Sequence, residues 1–395
     1  MSDTALTKKV NIGEFFKSNI KSYSMFLMLA VILIIFAVLT GGINLTPRNF
    51  TNIFIQYSYV LILAVGMVQV IIVLGIDLSV GSVCAFIGAI SALVYNTGIG
   101  MGPSLIVALL VGLGVGAFQG FWIAYLQIPA FIVTLAGMML FRGLSYIVTN
   151  ISPIALKGDG YKQLASGFFP NLMVGDTDLT PLIAGAAICL IFVVSDCIAR
   201  KSKIENKFEV PPAPLFIGKL VLVCVLVMAL AQRFSAYRGL PVIVAVLGIT
   251  VFIFNFMMRN TILGRYIYAV GGNARSAKLS GINSDFVIFL VFCIMGMLTG
   301  LAAVVSTGYM NTALPQAGNQ FEMDAIAACY IGGVSASGGI GTVVGVIIGG
   351  LIMSVINNGM LLMNMGAAWQ QVVKASIVLL AVFYDVYTRR KAGLN

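Results

Sequence analysis

The chain contains no histidine and only 13 acidic side chains in 395 residues. It therefore lacks the side chain most used near neutral pH as general base, proton shuttle and metal ligand. Charged residues make up 9% of the sequence, against about 25% in a soluble domain, so a water-solvated globular fold is excluded. No G-x-x-x-x-G-K-[ST] phosphate loop occurs, and no cofactor is expected on this chain. The six cysteines, at 84, 189, 197, 224, 293 and 329, form no C-x-x-C pair and lie in apolar runs. They read as small hydrophobes, with no metal or disulfide framework expected. The first apolar run is long and lacks a small-residue cleavage site, so no cleavable signal peptide is expected.

What is present is apolar. Hydrophobic residues make up 60% of the chain and the mean hydropathy is +1.04. Runs near the roughly 20 residues that cross a bilayer recur along the sequence. They lie at about 24–40, 52–74, 80–95, 105–126, 131–149, 181–199, 215–232, 240–258, 286–306, 343–362 and 372–387. A further apolar stretch, 324–334, is too short to cross cleanly and is broken by the Ser/Gly run 335–342. The expected fold is all-α and polytopic, with about 11 full spans plus one broken or re-entrant helix. Forty-three glycines suit helices whose backbones approach closely in lipid. Residues 10–21 read as a short interfacial helix.

Basic residues set an orientation. With the N-terminus inside and alternating spans, 16 Lys and Arg fall on cytoplasmic segments and five outside, while Arg142 and Lys374 lie within spans. This bias obeys the positive-inside rule. It makes 1–22 a cytoplasmic segment, 23–388 a transmembrane domain, 150–180 an outer loop, 259–285 a cytoplasmic loop and 389–395 a cytoplasmic tail. A net charge of +10 is then a signal of topology, and no nucleic-acid partner is expected.

The cytoplasmic loop reads RNTILGRYIYAVGGNARSAKLSGI over 259–282. Gly271 and Gly272 break the chain, and Asn273 can cap a helix by accepting a free backbone N–H. Ala274, Arg275, Ala277, Lys278 and Ser280 fall in about two helical turns, and Gly281 can stop them in a left-handed conformation. So short a helix needs a surface to rest on. An ordinary basic loop between spans is the plainer account on composition alone.

Three further stretches interrupt the apolar pattern. GIDLSVGS, 75–82, carries Asp77 and Ser79 among apolar residues. It reads either as a tight turn or as a break lining the inner end of a pathway, since irregular backbone at membrane depth survives only against protein or water. EMDAIAACYIGGVSASGGIG, 322–341, carries Glu322 and Asp324, and broken helices in both halves suggest a transport pathway. IPAFIVTLAGMMLFRG, 128–143, starts a span at Pro129 and places Arg142 inside it. Arg142 must reach a carbonyl, a carboxylate or the interface. Asn357, Asn358 and Lys374 bring polar groups into the last two spans, either as interhelical hydrogen bonds or as pathway lining.

These strings together resemble the permease subunits of ribose/xylose-type ABC importers, over about 52–390. The G-R…Y-x-Y-A-x-G-G-N loop is similar to the coupling loop of that family. The resemblance extends to I-D-L-S-V-G-S, to P-x-F-I-x-T-L-x-G…R-G, and to N-N-G followed by Q-x-x-V-K-A. Gln119 stands where the family usually shows Asn. The longer stretch 150–240 is similar to the xylose and multiple-monosaccharide branch. The resemblance implies an importer permease fold with two pseudo-repeated halves, in the cell inner or plasma membrane, with both termini cytoplasmic. It implies ATP and Mg bound by a two-copy partner ATPase, a second permease copy, and an extracytoplasmic sugar-binding protein. It further implies docking of the ATPase at 271–281. An ion-coupled secondary transporter is the alternative, and it would need intramembrane acidic or histidine relays. A membrane-embedded enzyme would need a nucleophile–base pair or metal cluster, and none is evident.

Overall fold

The computed structural model describes residues 12–391 except 176, 207, 209 and 211. The outer parts of the two expected terminal segments, 1–11 and 392–395, and Lys207 of the basic count lie outside the described residues. Nine described helices are long and apolar enough to cross a membrane, and the shorter apolar stretches Met25–Leu39 and Ala367–Phe383 supply the first and last expected spans.

Side-chain caps set several helix starts. In α2 (Pro47–Ile72), Thr46 accepts from the Asn49 N–H and Pro47 occupies a first-turn position that needs no donor. Thr342 caps α13 (Val343–Leu362) by accepting from the Gly345 N–H. One difference from the sequence expectation is at the start. The interfacial helix and first span form one continuous helix, α1 (Ile12–Leu39), since nothing between them breaks helical geometry.

The described residues fall into two compact units. The smaller joins residues up to Ser24 with Phe168–Pro241. It contains α7 (Thr180–Glu205), α8 (Ala213–Ser235) and a small hairpin of β2 (Met173–Val174) and β3 (Thr177–Asp178). Asp178 is buried; its carboxylate accepts from the backbone of Leu172 and Thr180, and its carbonyl accepts from Ser235 Oγ. Lys219 of α8 pairs with Asp196 of α7, and the Arg200 guanidinium sits 4.5 Å from the centre of the Phe216 ring. The outward faces of both helices are apolar and exposed, as lipid contact requires.

The larger unit holds Met25–Gly167 and the described residues from Val242 onward. Its centre is α2, buried on every side from Val60 to Ile72; a helix apolar all round belongs in the interior. On it pack α9 (Val242–Asn260), α11 (Ser284–Met310), α12 (Phe321–Ile331) and α13, while α3 (Val80–Val94) and α4 (Met101–Ala124) pack on α11 and α5 (Ala130–Thr149) on α3. On α4 and α11, a Cβ at Gly112 would meet the Gly296 carbonyl and one at Gly296 the Gly112 carbonyl, so the two backbones touch directly. A second cluster sets Ala327, Ile331, Ile352, Met353 and Ile356 against Leu29 and Phe36 of α1 and Val373 and Ile377 of α14 (Ala367–Lys391).

The stretch expected as an outer loop is more ordered than its composition suggests. It forms β1 (Ile154–Ala155), paired with β4 (Thr312–Ala313), and the short helix α6 (Gly160–Ser166). Tyr161 of α6 is fully buried, its ring 4.6 Å from that of Tyr95; tertiary packing stabilises a turn too short to form alone. The two ends of the large unit meet where the Val242 N–H donates to the Gly167 carbonyl at 3.0 Å.

Candidate functional site

The loop 259–282 is helical for most of its length. Thr261 caps α10 (Ile262–Leu279), whose axis breaks at Asn273, where φ is −162° and ψ is 100°. Asn273 Oδ1 accepts from the Ser276 N–H at 2.9 Å, so Asn273 restarts the helix in the manner its side chain predicts. Gly281 ends it with φ at +84°. The difference from expectation lies before the break, where 262–272 is a helix rather than a linker. Ser284 Oγ, at the start of α11, donates to the Ala274 carbonyl at 3.1 Å and holds the second segment in place.

That second segment presents Ala274, Arg275, Lys278, Leu279 and Ser280 outward, with Gly281 beyond them, while Ala277 is buried. Lys278 pairs with Asp285 at 3.3 Å, an exposed contact worth at most about 1 kcal/mol. Leu279 is 85% exposed, an apolar side chain set among polar and basic residues. The reading from sequence passed over Leu279 because an isolated leucine in a basic loop gives no periodic signal.

Behind this surface, α10 interlocks with two other backbones. A Cβ on Gly271 would meet the Ile72 carbonyl, at the end of α2, and the Gly339 N–H. That N–H itself donates to the Ile72 carbonyl at 3.0 Å. Gly338 and Gly339 have φ of +73° and +70° and pack on the backbone of Gly271 and Gly272. Only glycine satisfies both the conformation and the approach. Tyr268 donates from its hydroxyl to the Gly341 carbonyl at 2.7 Å.

The segment 332–342 thus reaches from the end of α12 to the foot of α2. It closes on itself through Ser335 N–H to the Ile340 carbonyl and Gly338 N–H to the Ser335 carbonyl. The short α12 and this extended run together make one broken crossing.

The other break, 73–79, is held by its own side chains. Asp77 is buried, and its Oδ1 accepts from Ser79 N–H at 2.8 Å and Ser79 Oγ at 2.7 Å. Ser79 Oγ accepts in turn from Gln119 Nε2 at 2.7 Å, and Thr134 Oγ1 donates to the Ile76 carbonyl at 3.0 Å. Asp77 has no ion-pair partner among the described residues, and its bonds are those of a turn that leads into α3. At Gly81 the chain touches Gly318, backbone to backbone, with the Glu322 carboxylate alongside.

Arg142 reaches carbonyls, donating to Pro315 at 3.1 Å and Ala317 at 2.7 Å. It ties 311–320, between α11 and α12, to α5.

The first turn of α12 carries Glu322 and Asp324, a favourable place for negative charge on a helix. Lys374 Nζ of α14 donates to Asp324 Oδ2 at 3.0 Å and stands 3.0 Å from Oδ1. Asn357 of α13 is buried beside the Asp324 carboxylate, and neither of its amide atoms makes a hydrogen bond of good geometry among the described residues. Tyr59 of α2 packs on Phe321, the first residue of α12, with ring centres 4.5 Å apart. Three of the polar residues singled out in sequence, Asp324, Asn357 and Lys374, are therefore one cluster.

Asn358 is elsewhere. Its amide exchanges two hydrogen bonds with that of Asn49, at 2.8 and 3.0 Å, tying α13 to the start of α2.

Comparison with known proteins places this arrangement. Residues 49–382 match the family described as the branched-chain amino acid transport system / permease component. The chain belongs to this permease family. It is 36% identical to the xylose transport system permease protein of Haemophilus influenzae, over 94% of this chain and 98% of that one. Identity to the Escherichia coli K12 xylose transport system permease protein is also 36%, over 95% of this chain and 94% of the relative. The E. coli K12 ribose import permease protein is 33% identical, over 91% of this chain and 92% of the relative. No solved structure matches the chain. The permease fold, all-helical and polytopic, is as the motifs imply.

Proposed function

We propose that this permease forms the membrane pathway of an ATP-driven monosaccharide importer, with a pentose such as xylose as cargo. The observation that carries the reading is the full-length similarity, 36% over 94% of the chain, to a xylose transport system permease, against a family description that names branched-chain amino acids. The capped, outward-facing turn 274–279 with exposed Leu279 supports docking of a separate ATPase there. That subunit, in two copies, binds ATP and Mg. A second permease copy completes the pore, and an extracytoplasmic sugar-binding protein delivers cargo. The excess of basic residues on alternate loops supports cytoplasmic termini in a cell inner membrane.

In the cycle so read, closure of the ATPase dimer pushes on 274–281. The interlocked glycines of α10, α2 and 332–342 carry the displacement to the broken crossing, and the inner end of the path opens. No bond is made or broken on this chain.

The test is reconstitution in vesicles with the ATPase and binding protein encoded beside it. Uptake of labelled xylose, ribose and leucine is measured with and without ATP. ATP-dependent uptake of a pentose, with leucine excluded, is expected. Leucine uptake, or sugar uptake driven by an ion gradient without ATP, refutes the proposal.

A further inference from the structure

A side-chain hydrogen bond joins α10, which carries the proposed docking surface, to the segment 332–342. Tyr268 lies on the first segment of α10, five residues before the break at Asn273, and donates to the Gly341 carbonyl at 2.7 Å. Gly341 is the penultimate residue of the segment before Thr342, which caps α13. Backbone packing at Gly271, Gly272, Gly338 and Gly339 also joins α10 to this segment. Packing of that kind resists compression strongly but pull only weakly, because each atom pair gains about 0.1–0.2 kcal/mol and a gap of about 0.5–1 Å forfeits a quarter to a half of it. A hydrogen bond holds under both push and pull. Burial raises the Tyr268 hydroxyl above its ordinary pKa, against a smaller opposing influence from Arg259, so the group remains a protonated donor at neutral pH.

From this geometry we infer that Tyr268 is a positioning residue, a latch that makes 332–342 follow α10 in both directions of its movement. The inference rests on the coupling reading above. Without the hydroxyl, α10 still presses the segment but draws it back less firmly, and part of each ATPase cycle is lost as slip. Gly341 contributes only a carbonyl, so the latch is set by the tyrosine alone.

The experiment uses Tyr268→Phe in the full complex, which keeps the ring and its packing and removes one donor. ATPase co-purification and melting temperature are expected to stay near wild type. A single net hydrogen bond corresponds to roughly a fivefold equilibrium effect, so sugar delivered per ATP should fall by about that factor. Hydrogen exchange at 335–341 supplies a reading that a merely structural role would not move. In the wild-type complex it should change on adding a non-hydrolysable ATP analogue, and in Tyr268→Phe that response should be lost. Wild-type stoichiometry, or an intact nucleotide response at 335–341 in the variant, overturns the latch. So does loss of ATPase binding, which would make Tyr268 part of the docking contact. If the wild-type permease binds no ATPase at all, the coupling reading fails instead. Exchange at 335–341 in the permease alone then still decides the bond, with about fivefold faster exchange expected in Tyr268→Phe and equal exchange refuting it.

Discussion

Removing the charge of Lys374 should destabilise the permease far more than removing both charges of its pair. Lys374 Nζ lies 3.0 Å from Asp324, and the two side chains are 18% and 9% exposed. At that distance, with an effective dielectric constant near 20, the attraction is about 5 kcal/mol. The cost of taking both ions out of water offsets most of it, which is why such pairs add little net stability. Lys374→Met leaves Asp324 buried without a countercharge, and the nearby Asn357 amide is a weak substitute. The expected cost is about 3–5 kcal/mol. The double variant Asp324→Asn/Lys374→Met leaves no ion, and its amide can meet Asn357, so it should fall within about 1.5 kcal/mol of wild type. Reversible unfolding in mixed micelles measures all three forms and closes a double-mutant cycle. A double variant as unstable as Lys374→Met, or a Lys374→Met as stable as wild type, refutes the reasoning, because either result means the pair is not desolvated. Uptake separates structure from transport. If the double variant folds and transports, the pair only binds α14 to α12; if it folds and fails, the charges act on the path.

Other outcomes follow from the same geometry. Asn358→Leu leaves the buried Asn49 side-chain oxygen without its donor, while the Asn49 NH2 keeps the Asn44 carbonyl, and should cost about 1–3 kcal/mol in reversible unfolding. Ala277→Pro puts a ring into the second segment of α10, where an interior proline costs about 3 kcal/mol. Membrane insertion should survive, while ATPase co-purification and uptake fall together. Leu279→Asp removes the most exposed apolar contact of that segment without touching the fold, and should reduce co-purification about tenfold or more if the side chain fills a pocket on the partner; Arg275→Glu should reduce it less.

Local patterning made part of this legible. Hydropathy located the crossings, and the Gly-Gly-Asn and Gly281 signals bounded the second segment of α10, because capping is decided within four residues. The contacts that define the polar layer are not local. Asp324 and Lys374 are 50 residues apart, Arg142 and Pro315 are 173 apart, and Asn49 and Asn358 are 309 apart. A polar residue inside a span advertises that it needs a partner, but its own sequence neighbourhood does not say which. Asn358 and Asn357 illustrate this. They are adjacent, yet successive helical positions point about 100° apart, so one joins the Asn49 lock and the other the Asp324 cluster. Helix 262–272 was missed because its glycines and basic residues weaken the helical signal, while its stability comes from packing on α2 and the 332–342 segment.

The meeting of Gly167 and Val242 has a practical consequence. Those two residues already share a hydrogen bond, so the intervening stretch, Phe168–Pro241, leaves and re-enters the larger unit at a single point. A stretch with that geometry can be excised or exchanged as a cassette. Because α7 and α8 cross the membrane as a pair, joining 167 to 242 by a short turn keeps every later helix on its original side. The same junction is a port at which a fluorescent reporter or an affinity handle can enter the chain without lengthening any path through the rest of it.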